Sequence, residues 1–175
     1  MKVKIQEYIK NEKYYIIKTN KVNQYLGMNY DAFNNKITLQ NFGPSESESG
    51  YLKPDTQRKM ELKLTEIDLL LKTITILWNA VKKDSPVSQK IYNKSFNIRN
   101  FGDYEVNVQI KKDIMDFKYI SIEKINKVDL PYESFSIYLD YMSSKTLYSV
   151  LKQLSKNRTV EIIETNIEME DRCYA

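Results

Sequence analysis

Histidine is missing from all 175 residues. Its absence excludes Ser-His-Asp and Cys-His catalysis and any His-ligated zinc. One cysteine, Cys173, stands near the C-terminal end. No internal disulfide and no thiolate metal cluster can form, which fits a reducing compartment. Glycine is scarce too. The four glycines, at 27, 43, 50 and 102, belong to no GxGxxG or GxxxxGK loop that would cradle phosphates. There is no long apolar run: residues 67–81 are the most apolar stretch, and Asp68, Lys72 and Asn79 interrupt it. It is too short and too charged to span a bilayer. Met1-Lys2-Val3-Lys4 leads into an alternating pattern, not into the apolar segment of a signal peptide. No carboxylate pair is spaced for acid/base work. The sequence therefore points away from an enzyme. It calls for no cofactor and no metal, and it reads as a cytoplasmic protein with no membrane partner.

Charge is present in both signs, with 27 basic and 23 acidic residues and a net of +4. The distribution is uneven. Residues 1–83 carry 14 Lys/Arg against 9 Asp/Glu, net +5; residues 84–155 carry 10 against 9, net +1; residues 156–175 carry 3 against 5, net −2. The plainer reading of the abundant Lys, Asn, Ile and Tyr is an AT-rich coding sequence. The fourteen tyrosines ask for more, because several fall where a strand points them outward.

The hydrophobic rhythm carries most of the information. Alternation predicts strands over 2–6, 14–18, 36–40 and 59–64, with Val3, Ile5, Ile37, Leu39, Met60, Leu62 and Leu64 inward. Residues 20–35 read as irregular, and the Gly/Pro/Ser-rich stretch 43–57 as a mobile loop. A helix follows over 65–83. Thr65 is its expected N-cap, with Asp68 three residues on. Its apolar face is Ile67, Leu70, Leu71, Ile74, Leu77, Trp78 and Val81, and Trp78 is expected to be largely buried. Pro86 stops it. The second half repeats the order. Strands are predicted over 95–101, 105–111, 117–124 and 135–139, then a helix over 144–156 capped by Ser143 or Ser144. Residues 159–164 read as one further strand or an extended arm.

The switch from strand to helix thus occurs twice. Leu62 and Leu64 correspond to Ile137 and Leu139 at an offset of 75, and Leu71, Ile74 and Trp78 to Leu147, Val150 and Leu154 at an offset of 76. The expected fold is α+β: two β-β-β-β-α repeats, at about 1–83 and 91–157, with antiparallel sheets packed on two helices and a C-terminal tail, all in one domain. The repeats would complete one core in a single chain, a monomeric pseudo-dimer, or assemble further as a homo-oligomer.

The sheet faces turned away from the helices can be read from the alternation. In the first half they carry Tyr14, Lys18, Lys36 and Lys63; in the second, Arg99, Phe101, Lys111, Phe117, Tyr119 and Tyr138. Cations that follow phosphates, beside flat rings that stack on unpaired bases, suit single-stranded nucleic acid. An ordinary solvated face with tyrosines at β-favourable sites is the plainer alternative. Four outward rings, Phe101, Phe117, Tyr119 and Tyr138, are more than such a face needs.

Two successive β-β-β-β-α units resemble the Whirly-type single-stranded-DNA-binding fold, related to transcriptional coactivators that carry one unit and dimerise. The resemblance is one of architecture and runs from Lys2 to about Asn157. The Lys-Gly-Lys-Ala-Ala-Leu motif of plant members is absent, and "NNKITLQ", the nearest candidate by position, does not match it. No individual residue role is carried over. The resemblance implies a sequence-tolerant binder of single-stranded DNA or RNA in replication, recombination or transcription, with loops that leave room for a phage- or plasmid-encoded version. The rival reading is a protein-interaction module, such as a mobile-element inhibitor or adaptor of a host complex, in which the same rings and charges form a protein interface.

Overall fold

A computed structural model of the chain describes residues 3–7, 12–44, 51–82, 94–115, 117–127 and 134–156. The expected arm at 159–164 lies outside them. The architecture is α+β. Five strands, β1 (Val3–Glu7), β2 (Lys13–Lys18), β3 (Tyr25–Asp31), β4 (Lys36–Pro44) and β5 (Leu52–Lys63), form an antiparallel meander and lead into helix α1 (Leu64–Val81). Four more, β6 (Phe96–Arg99), β7 (Tyr104–Lys112), β8 (Lys118–Asn126) and β9 (Phe135–Leu139), form a second meander and lead into helix α2 (Tyr141–Ser155).

Alternation sets the inner faces. Tyr15 and Ile17 of β2 lie opposite Met28 and Leu26 of β3, and Met28 lies opposite Leu39 of β4, which pairs with Met60 of β5. In the second sheet Ile120 and Ile122 of β8 pair with Ile110 and Val108 on one side and with Leu139 and Ile137 on the other. These side chains join Ile67, Leu70, Ile74 and Leu77 of α1 and Leu147, Val150, Leu151 and Leu154 of α2 in one continuous core. Each helix reaches across the molecule. α1, which leaves the first sheet, lies against β6, β7 and β8 of the second as well as β4 and β5; α2, which leaves the second, lies against β2 and β3 as well as β8 and β9. Neither repeat encloses its own apolar surface without the other.

Turns tie the sheets together at equivalent places. Asn20 and Gln24, in the β2–β3 turn, donate to the β9 carbonyls of Tyr138 (2.8 Å) and Ser136 (3.0 Å). Tyr104, at the β6–β7 turn, donates its hydroxyl to Glu61 O on β5 (2.7 Å) and accepts from Glu61 N (3.1 Å). Glu61 and Ser136 are 75 residues apart, the offset of the sequence repeat. Each repeat's first turn therefore grips the edge of the other's last strand, and otherwise open edge groups gain partners.

Several expectations are corrected. Residues 20–35 contain β3, so the first sheet has five strands, and the repeat pairs β2–β5 with β6–β9 and leaves β1 as an addition. Much of 43–57 is strand. A register shift between Gln40 and Phe42 bends the β4–β5 arm, and Phe42 and Leu52 close over Tyr14 and Ile16 in a small second core. Gln6 secures the arm: its amide donates to Leu52 O (2.8 Å) and accepts from Leu52 N (3.1 Å). The caps also differ. Lys63 is the N-cap of α1, and its N–H donates to Glu66 Oε1 (2.9 Å). Asp140 caps α2 and accepts from Ser143 N at 2.8 Å. Trp78 is half-buried, set edge-on against Tyr148 of α2 with ring centroids 4.8 Å apart.

Candidate functional site

The ten residues singled out from sequence separate into four settings. Tyr14 is on the outer face of the first sheet, but the β4–β5 arm covers it to 8 % exposure. Its hydroxyl donates to Gln40 Oε1 (3.2 Å), its ring meets Phe42 edge-on, and burial, aided by Glu12 and Glu61, pushes its pKa up to about 12. It is a core residue, not a stacking platform. Lys18, at the other end of the same strand, donates its ammonium to carbonyls of the β2–β3 turn: Thr19 at 3.0 Å, Lys21 at 2.7 Å and Gln24 at 3.4 Å. Burial lowers its pKa. Lys18 shapes the turn.

Arg99 also departs from the outward position expected of it. The register shifts between Asn97 and Arg99, so Arg99 lies opposite Val106 and faces inward. Its guanidinium bonds Glu66 of α1 at 3.3 Å, with both side chains largely buried, and sits 4.4 Å from the Tyr104 ring centroid. It also lies 4.2 Å from the centroid of Phe101, which the ammonium of Lys63 approaches at 4.9 Å. Lys36 pairs across the sheet with Lys63. Lys63 and Phe101, both exposed, thus form a small cation–aromatic cluster at the junction of β5 and the β6–β7 turn.

The remaining four gather on the second sheet. Lys111 of β7 is directly opposite Tyr119 of β8, and Ser121, the next outward residue of β8, is opposite Tyr138 of β9. Tyr138 stands 75 residues beyond Lys63, so the two clusters occupy equivalent positions in the two repeats. The second is the larger. With Asn20, Lys21, Lys112 and Asp113, the residues Lys111, Tyr119 and Tyr138 line an open hollow of about 390 Å³. Asp113 organises its end. It accepts from Met115 N (2.8 Å) and Phe117 N (3.0 Å), which builds the β7–β8 turn, and from the Tyr119 hydroxyl (3.2 Å), which fixes the ring. Burial and Asp113 together raise the Tyr119 pKa, so the phenol stays neutral. Phe117 projects from the same turn, more than half exposed.

Electrostatics modify this surface. Glu123, in the middle of the outer face, accepts from Lys111 (2.6 Å), Gln109 (3.3 Å) and Ser121 (3.2 Å). Burial would raise its pKa, but the bonds from Lys111, Gln109 and Ser121 outweigh that and lower it. Glu123 therefore neutralises Lys111 in place. Lys21, Lys112 and Lys118 supply further positive charge around the hollow and the hairpin. Sequence reading passed over Lys21 and Lys112 because they lie outside the predicted strands, and over Lys118 because alternation in the predicted strand 117–124 puts it on the side of Ile120 and Ile122, not with Phe117 and Tyr119. The lysines that bracket "KKDIMDFK" were the available signal.

No model of a known protein family matches the chain, and no curated protein matches it. Among the described residues no three His, Cys, Asp or Glu side chains come together as a metal-binding set, and no helix is long and apolar enough to cross a membrane. The surface contains rings, of which Tyr119 is tethered through its hydroxyl to Asp113, beside ammonium groups and amides. Such a surface can stack on flat groups and attract anions.

Proposed function

We propose that the chain binds single-stranded DNA or RNA with little sequence preference, through the outer face of its second sheet. The observation that carries this reading is the hollow in which Tyr119 and Tyr138 stand among Lys21, Lys111 and Lys112. Unpaired bases offer π-faces to the tyrosines, and phosphates offer charge to the lysines. A duplex hides those faces, so the rings favour single strands. The two repeats in one chain agree with what the Whirly resemblance implies. On that resemblance the role is in replication, recombination or transcription, and no second chain is required to complete the core.

One observation favours the rival reading of a protein-interaction module: Ile114, Met115, Phe117 and Met142 are all exposed. Substitution separates the two. Tyr119→Ala with Tyr138→Ala should weaken oligo-dT binding by a factor of ten or more, at about 1–3 kcal/mol for each stacked base, and leave the salt slope unchanged. Lys21→Ala with Lys112→Ala should reduce both affinity and slope. If both double variants bind oligo-dT as the wild type does, this face is not the binding surface.

A further inference from the structure

We propose that a second hollow, between the β7–β8 turn and the start of α2, takes one unpaired nucleobase turned out of the path across the sheet. This rests on the single-strand reading and adds a place for a particular base. The hollow measures about 680 Å³, and its lining includes Met115, Phe117, Tyr141 and Met142, with Lys82 and Lys118 also at the wall. Asn20 and Tyr119 line this hollow and the tyrosine–lysine hollow alike. The two are therefore one continuous surface with Tyr119 at the divide. A strand stacked on Tyr138 and Tyr119 has this as its next stop.

The chemistry favours a base over a phosphate. A helix N-terminus ordinarily attracts anions, but at α2 the Asp140 carboxylate already holds the Ser143 N–H and accepts from Asn20 Nδ2 at 3.0 Å. Burial opposes its charge, yet these bonds keep its pKa low. A fixed negative charge thus stands where a phosphate would otherwise sit. The exposed side chains beside it are apolar: Met115, Phe117 and Met142 are each more than half exposed. Thioethers and a phenyl ring accept any flat heterocycle without demanding one hydrogen-bond pattern. Lys118 and Lys82 flank the opening, where the phosphates on either side of the base would pass. Lys82 also lies 5.3 Å from the Tyr141 ring centroid.

The test is an abasic scan. Short oligo-dT strands, each with one base removed, are titrated against the wild type and against Phe117→Ser with Met142→Ser. Both positions are exposed, so the fold should survive, and circular dichroism checks that it does. The expected result is one position at which base removal costs the wild type about tenfold and costs the double variant nothing. Equal penalties in both proteins at every position, with intact oligo-dT bound equally well, would overturn the base hollow and leave the sheet-face reading standing; a protein-docking role for the hollow gives that pattern. Failure of the wild type to bind any intact oligo-dT or oligo-rU would overturn both.

Discussion

The ammonium of Lys111 lies 2.6 Å from Glu123 Oε1 in the centre of the second sheet's outer face. The best-placed cation beside Tyr119 is thereby held by a carboxylate. Glu123→Gln should release it. Oligo-dT affinity should rise, and the salt slope should steepen by about one phosphate contact. The pair is partly exposed, so folding stability should change by less than about 1 kcal/mol. Filter binding at several salt concentrations, with urea melts alongside, measures both effects. An unchanged slope would mean that Lys111 meets no phosphate.

Gly27 and Phe42 show how the first sheet closes on itself. A Cβ built on Gly27 would come within 2.4 Å of Phe42 Cε1. The ring occupies the space a side chain at position 27 would need, so only glycine fits there. Gly27→Ala should cost about 1–3 kcal/mol by overpacking. Adding Phe42→Leu should make that second change less costly than it is in the wild type. Urea denaturation of the two single variants and the double variant gives the coupling.

The covered phenol of Tyr14 makes stability depend on pH at the alkaline end. An unfolded tyrosine titrates near 10.0, whereas Tyr14 in the fold is pushed to about 12. The folded state holds this proton more tightly. The contribution is complete below about pH 10 and is lost as pH rises towards 12. Tyr14→Phe should flatten that decline. It should also cost about 1 kcal/mol near neutral pH through loss of the bond to Gln40. Melting temperatures between pH 8 and pH 11 for both proteins, at roughly one-unit steps, provide the comparison.

The sequence made the fold legible where a residue's neighbours along the chain decide its place. The alternation at Val106, Val108 and Ile110 and the helical spacing at Leu147, Val150, Leu151 and Leu154 lie in the structure as read, because period alone selects the buried face. It was illegible where a distant contact decides. β3 was hidden by Gly27 and by the asparagines around it, and that glycine makes sense only once Phe42 is overhead. Asn23 and Asn35, both at φ 55°, are the turns that bracket β3, and their left-handed backbone was the local hint. Tyr14 was assigned to the correct side of its strand, but the bend that brings Leu52 over it leaves no mark in the alternation. Arg99 changed sides through one register shift, which moves every later side chain of a strand.

The most direct test of the account is a fluorescence titration of the unmodified protein with oligo-dT and with a duplex of equal length, at two salt concentrations. Binding to one surface of rings and lysines predicts a clear preference for the single strand at both concentrations. It also predicts an affinity that falls as salt rises, through release of counterions from the few phosphates held. Equal affinity for the duplex, or no binding of oligo-dT or oligo-rU even at low salt, would contradict it.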